Sequence, residues 1–241
     1  MRNLILLPAL ATALAACGKS DAPAADAASA SAALSKAGAT AATNAALLAP
    51  DSAALAVSAP DSFTIHFATS RGEFDIKVHR AWAPRGADRL YHLVHAGFYD
   101  GVRFYRVIEG FMAQFGAHGD TAVAHAWRDR RIDDDPVRHR NERGALTFAQ
   151  TSSPNSRTTQ LFINVGNNQQ LDGIGFAPLG TVVNGMAVVD SLYHGYGEGA
   201  PSGAGPDQGR LGAEGNAYLR RQYPKLDSIA TARITAEWKK P

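Results

Sequence analysis

Only one cysteine, Cys17, stands among the 241 residues. A lone cysteine excludes an intramolecular disulfide. Charge of one sign is equally scarce. The formal net charge is +2, without the basic stripe of a dedicated nucleic-acid binder. No GxSxG, HExxH or Ser-His-Asp order is present, so a hydrolase has no support. A GxGxxG-like spacing occurs only weakly, in a glycine-rich tail that lacks the strand-helix context of a nucleotide site. Metal-ligand spacing is missing as well. His118, Asp120, His125 and Asp133 to Asp135 are ligand types, but they lie in a polar stretch, residues 117–143, that reads as a solvated loop. His92 and His95 share a helix face without a partner motif and read as surface or packed histidines. No metal and no cofactor is called for.

The remaining chain divides into three parts. Residues 1–16 form a secretory leader, with Arg2 as its positive n-region and Leu4 to Leu14 as its apolar h-region. That run is too short for a spanning helix. It ends Leu14-Ala15-Ala16-Cys17-Gly18, which resembles a bacterial lipobox. The resemblance implies that Cys17 is diacylated and becomes the new N-terminus, and two or three acyl chains anchor stably. Gly18 is not the aspartate that retains lipoproteins at the inner membrane, which favours the outer membrane. Residues 17–60 follow as an Ala-rich linker with no aromatic residue and little to bury, so it is expected to be disordered and to supply reach. Residues 61–241 are the folded domain.

Within the domain, Phe63, Ile65 and Phe67 alternate with polar residues, Ser70-Arg71-Gly72 turns, and Phe74, Ile76 and Val78 alternate again. This pattern predicts a hairpin with one buried face. Pro84 suits a first helical turn, and Leu90, Leu93 and Val94 predict a helix over 85–96. Strands are expected at 144–150 and 176–183, a short helix at 186–192, a third helix over 214–223 and a last strand at 229–238. Residues 195–228 form a Gly/Pro-rich extension.

The most informative stretch is FYRVIEGFMAQFG, residues 104–116, which pairs with QLFIN, residues 160–164. Strand parity puts Phe104, Arg106 and Ile108 on one face, then Met112 and Gln114, and in the second run Gln160 and Phe162. Apolar groups with a few fixed polar ones and a single arginine are the form of a ligand pocket. FxRxIxGFMxQxG followed by QxFIN resembles the signature of the cyclophilin family of peptidyl-prolyl isomerases, with the likeness running over residues 62–194. The resemblance implies a mainly β fold, a closed eight-stranded antiparallel barrel capped by two α-helices, with the C-terminal tail as a departure.

It also implies roles. Arg106 would donate to the prolyl nitrogen of a twisted amide, and Gln114 would hold a substrate carbonyl. Phe111, Met112, Phe162 and Leu171 would form the proline slot, with Phe176 as a further wall and Gln160 in support. Gln150 and Thr151 would meet the peptide through their backbones. Leu161 replaces a usual Phe on the inward face. Gln170 stands where eukaryotic members of the family often carry the Trp that contributes to cyclosporin binding, which implies weak inhibition. The expected partners are proline-containing peptides or unfolded exported proteins, and the membrane through Cys17, with no nucleic acid. The protein is expected as a monomer. A non-catalytic proline-peptide scaffold on the same fold is the alternative.

Overall fold

A computed structural model describes residues 46–50 and 55–240. The leader, Cys17 and most of the linker lie outside the described residues. Strands β1 (Ser62–Thr69) and β2 (Gly72–His79) pair antiparallel from Ser62↔His79 to Thr69↔Gly72. Their alternation decides the buried face: Phe63, Ile65, Phe67, Phe74, Ile76 and Val78 are all buried, and the Phe67 and Phe74 rings stack at 4.9 Å. Helix α1 (Pro84–His95) opens on a proline, whose missing N–H would have had no helical partner there. It buries Leu90, Leu93 and Val94.

Next come β3 (Arg106–Ile108), β4 (Met112–Phe115), α2 (Thr121–Trp127), β5 (Ala145–Phe148), β6 (Leu161–Asn164), a 3₁₀ segment (Gln169–Ile174) and β7 (Pro178–Asn184). Helices α3 (Met186–Asp190) and α4 (Gln208–Gln222) precede β8 (Ile229–Trp238). The eight strands make one curled antiparallel sheet in the order β3-β4-β6-β5-β7-β2-β1-β8. Leu161 and Ile163 face the main core as expected, while Phe162 faces away from it.

The expected closed barrel is not what forms. The sheet is an open half-barrel, because its edge strands β3 and β8 do not pair. β3 has only three residues and meets the tail through a lone bridge, Val107↔Gly197. Just before it, residues 101–104 bond irregularly to residues 227–229, as in Phe104 N–H to Asp227 O at 3.0 Å. The same irregularity breaks the expected parity. Phe104 belongs to the main core with Phe115, not to the face of Arg106.

Besides the two capping helices and the third expected in the tail, a fourth, α2, is named among the described residues. The glycines of the tail conceal α4, which begins six residues before the expected start because Asp207 caps it, accepting from Arg210 N–H at 2.7 Å. α4 bends at Gly215, φ +61°. A Cβ there would strike the Gly119 carbonyl oxygen, so glycine is required both by the backbone and by the close approach of α2.

Residues 117–143 are not a solvated loop throughout. They carry α2, bury Trp127, Asp135 and Asn141, and end in hydrogen bonds to the core. Asp135 accepts from the backbone N–H groups of Arg85 (3.1 Å) and Gly86 (2.8 Å) at the start of α1. It also pairs with buried Arg157 at 3.1 Å. The described end of the linker packs on the domain as well. Leu47 is 4% exposed, and its carbonyl accepts from Trp127 Nε1 at 2.9 Å.

Candidate functional site

The site is built on the hairpin β3–β4 and its neighbour β6. Register places Arg106 opposite Gln114 and Gln114 opposite Phe162, so one face of three short strands collects the residues that the two motifs singled out. The turn between β3 and β4 closes with Phe111 N–H to Ile108 O at 3.0 Å and Gly110 at φ +67°. Its Phe111 carbonyl is held by Val165 N–H (2.8 Å) and Asn168 Nδ2 (2.8 Å).

Met112, Phe162 and Leu171 form an apolar cluster apart from the main core, with Phe111, Ile108, Ala149 and Phe176 packed against it. Phe176 meets Phe162 edge-on, at 5.7 Å and 71°. Leu171 comes from the 3₁₀ segment. This slot opens into a groove of about 1320 Å³ that also takes in Arg106, Gln114, Gln150, Thr151 and Gln160.

The polar residues form a directed chain. Arg106 Nη1 donates to Gln114 Oε1 at 3.0 Å and lies 3.7 Å from Met112 Sδ. Gln114 Nε2 donates to Gln160 Oε1 at 3.1 Å. Tyr105, which sequence reasoning missed, donates its hydroxyl to the same oxygen at 2.5 Å. Burial raises the Tyr105 pKa and keeps that proton in place. Tyr105 sits in a second core cluster with Leu211, Tyr218, Leu219 and Leu226. The tail therefore has its own core, tied to the site through this hydroxyl.

The second missed residue is Glu198. Both its oxygens grip Arg106, Oε1 on Nε at 2.5 Å and Oε2 on Nη2 at 2.6 Å. Gly199 N–H holds Oε1 at 2.8 Å. The hydrogen bond from Arg106 lowers the Glu198 pKa below the ordinary carboxylate value. No motif in the sequence marks Glu198, which lies 92 residues from Arg106.

A third omission lies behind the slot. Asn141, Asn164 and Asn168 are buried. Asn141 Nδ2 donates to Asp172 Oδ1 and to the Phe176 carbonyl, both at 2.8 Å. Asn141 Oδ1 accepts from Thr147 Oγ1 at 2.9 Å. Only Asn164 carried a signal, as the last letter of QLFIN. The network holds the backbone that presents Leu171 and Phe176.

Of the residues expected to meet a peptide by backbone, Thr151 already spends its N–H on Ser156 Oγ at 2.9 Å. Gln150 turns its side chain inward. Its Nε2 donates to Ile174 O at 3.1 Å, while Oε1 is buried without a partner. Gln170 is exposed. Among the described residues, no group of three or more His, Cys, Asp or Glu gathers to hold a metal, and no helix is long and apolar enough to cross a membrane.

Comparison with known proteins agrees with this geometry. The family model for cyclophilin type peptidyl-prolyl cis-trans isomerase/CLD matches residues 64–204. Peptidyl-prolyl cis-trans isomerase A of Dickeya dadantii is 35% identical over 141 residues, which cover 57% of this chain and 74% of that protein. Peptidyl-prolyl cis-trans isomerase B of Escherichia coli is 33% identical over 135 residues, 53% of this chain and 82% of that protein. The crystal structure of a cyclophilin type isomerase from Cryptosporidium parvum aligns with TM-score 0.55 and 19% identity, over 73% of this chain and 99% of that one. The same protein in the presence of the dipeptide Ala-Pro aligns with TM-score 0.53 at 19% identity, over 72% of this chain and 99% of that one.

Proposed function

The chain belongs to the cyclophilin-type family of peptidyl-prolyl cis-trans isomerases, and on that footing we propose that it rotates X-Pro bonds by the residues of the β3–β4–β6 face. The X-Pro amide turns over a barrier of about 18–20 kcal/mol because its C–N bond is partly double. No bond breaks in that rotation. A catalyst need only stabilise the twisted amide more than the planar one. On twisting, the prolyl nitrogen regains its lone pair and accepts a hydrogen bond.

Arg106 is the donor in this reading. A guanidinium stays charged and presents rigid N–H groups. The observation that carries the proposal is the position of Nη1, 3.0 Å from Gln114 Oε1 and 3.7 Å from Met112 Sδ, at the lip of the apolar slot. Glu198 occupies Nε and Nη2, so Nη1 is the edge turned to the substrate. The proline ring enters between Phe111, Met112, Phe162 and Leu171, with Phe176 as outer wall. Gln114 and Gln160 steady the adjacent carbonyl.

The test is exchange NMR on an X-Pro peptide with the full chain and an Arg106→Ala variant. Acceleration reduced in the variant by roughly 10²–10³ is the expected result. Binding without acceleration by the native chain would leave a proline-peptide scaffold instead. Equal acceleration by both proteins would keep the enzyme and remove Arg106 from its role.

The leader and the lipobox-like LAACG support a further reading. The clients are exported proteins, and the domain acts in a bacterial envelope, anchored through Cys17 with the outer membrane favoured. Mass spectrometry of the mature N-terminus tests it: an acylated Cys17 supports the anchor, and an unmodified one removes it.

A further inference from the structure

The groove does not end at Gln160. It continues between α2 and the first turns of α4, past His118, His125, Arg128 and Arg131, with Ser153 and Ser156 among the opposite wall. Its volume of about 1320 Å³ exceeds the roughly 300–1,000 Å³ of a small-molecule pocket. A single prolyl residue leaves most of it unfilled.

The charge of the lining is one-sided. Arg106, Arg128 and Arg131 line the groove with His118 and His125, and no Asp or Glu does. His118 adds no charge, because its Nδ1 accepts from Asp120 N–H at 3.0 Å and burial lowers its pKa. Arg106 is countered by Glu198. Arg128 meets only Asp129, at 3.5 Å with both side chains exposed. Arg131 has no ion pair with any described residue. Three carboxylates at α2 and α4 are committed elsewhere, while the exposed Asp133 lies two residues beyond Arg131. Asp120 caps α2, accepting from Ala122 N–H at 2.8 Å. Asp207 caps α4, and Glu214 is taken by Arg210 and Arg221.

The platform carrying these cations is rigid. Trp127 is buried and hydrogen-bonded to Leu47. The guanidinium of Arg89 lies 5.6 Å from the Trp127 ring and donates to Arg130 O at 2.6 Å. Asn216 N–H ties α4 to Gly119 O at 2.8 Å.

We propose that this far half of the groove is a subsite for acidic side chains of the polypeptide whose proline occupies the slot, so that client segments with Asp or Glu flanking the proline are preferred. The inference rests on the isomerase reading for the location of the proline. It assigns a role to residues 117–143 and to the start of α4. Exposed cations of this kind act mainly through association rate and are screened by salt.

The test uses the full chain and one X-Pro peptide core with Glu, Gln or Lys placed in turn at positions on each side of the proline. Exchange NMR gives kcat/KM and fluorescence anisotropy gives binding. The expected result is a Glu-over-Lys preference on one side of the proline, about 2- to 5-fold for each arginine engaged. It should collapse in 1 M salt, where the screening length is about 3 Å, and invert in the Arg128→Glu/Arg131→Glu double variant. Equal rates and binding for Glu and Lys peptides, or a preference that survives the charge reversal, would overturn it. If no peptide is accelerated, the isomerase reading fails by itself. A charge preference in binding that the double variant inverts would still establish the subsite.

Discussion

Glu198 holds Arg106 by both carboxylate oxygens, at 2.5 and 2.6 Å, from the side opposite the apolar slot. The pair is partly open to water, with the Arg106 side chain 21% and Glu198 40% exposed, so its worth lies in aiming the guanidinium more than in stability. Removing the carboxylate in Glu198→Ala frees Nε and Nη2 and lets Nη1 swing off the slot. The expected outcome is a kcat lower by about tenfold with KM little changed, since a misaimed donor loses transition-state contact rather than ground-state binding. Unchanged kcat would show that Gln114 alone aims the arginine.

The same pair sets a pH dependence. The folded Glu198 pKa is depressed by the hydrogen bond from Arg106, below the ordinary value of 4.5. A depressed pKa contributes above the ordinary value and is lost as the pH falls through the folded one. Native kcat is therefore expected to stay level above pH ~5 and to fall only in acid. In Glu198→Ala that acid limb should be absent. A limb in the variant identical to that of the native protein would assign it to another group.

Asn141 joins the slot to the core. Asn141→Ala strips a partner from buried Thr147 Oγ1 and from the Phe176 carbonyl, while Asp172 Oδ1 keeps the backbone N–H of residue 141 at 2.9 Å. Each buried group left unpaired costs about 1–3 kcal/mol. Urea unfolding should show that loss, and KM should rise because Leu171 and Phe176 are no longer held. A variant within about 0.5 kcal/mol of native stability would count against the network.

Asp135 and Arg157 form a buried pair, with side chains 0% and 2% exposed. Asp135→Ala leaves the buried guanidinium with only the half-exposed Asp134 carboxylate at 3.4 Å and the Asp133 carbonyl, and is expected to cost up to about 3–5 kcal/mol. The double variant Asp135→Ala/Arg157→Met should recover part of this. It should not recover all, because Asp135 also bonds the first N–H groups of α1. Full recovery would show that the α1 contact adds nothing.

Gln170 is exposed beside Leu171, at the place where the cyclophilin resemblance implies a tryptophan in eukaryotic members. Without that indole face, cyclosporin should inhibit X-Pro exchange only weakly. A tight, near-stoichiometric inhibition curve would show that the remaining slot is sufficient.

Much of this protein is readable in one dimension. Period-2 alternation in β1 and β2 specified their buried face, because successive side chains on a strand must point to opposite sides. Pro84 and the Leu90–Leu93–Val94 spacing announced α1. Met112 and Gln114 on β4 and Phe162 on β6 share a face by parity once the strands are neighbours, with Phe111 in the turn before β4 and Gln160 just before β6. Arg106 is legible for the same reason.

The tertiary structure decided the rest. Glu198, Tyr105 and Asn141 act through partners far away in the chain, and no local spacing encodes a contact 92 residues long. The edge strands β3 and β8 stay unpaired because β3 is three residues long and its neighbours are irregular, which alternation cannot foretell. Residues 117–143 look polar enough to be a solvated loop. Burial of Trp127, Asp135 and Asn141 depends on α1, α4 and the loop around Arg157 arriving at the same place, and only the folded chain brings them there.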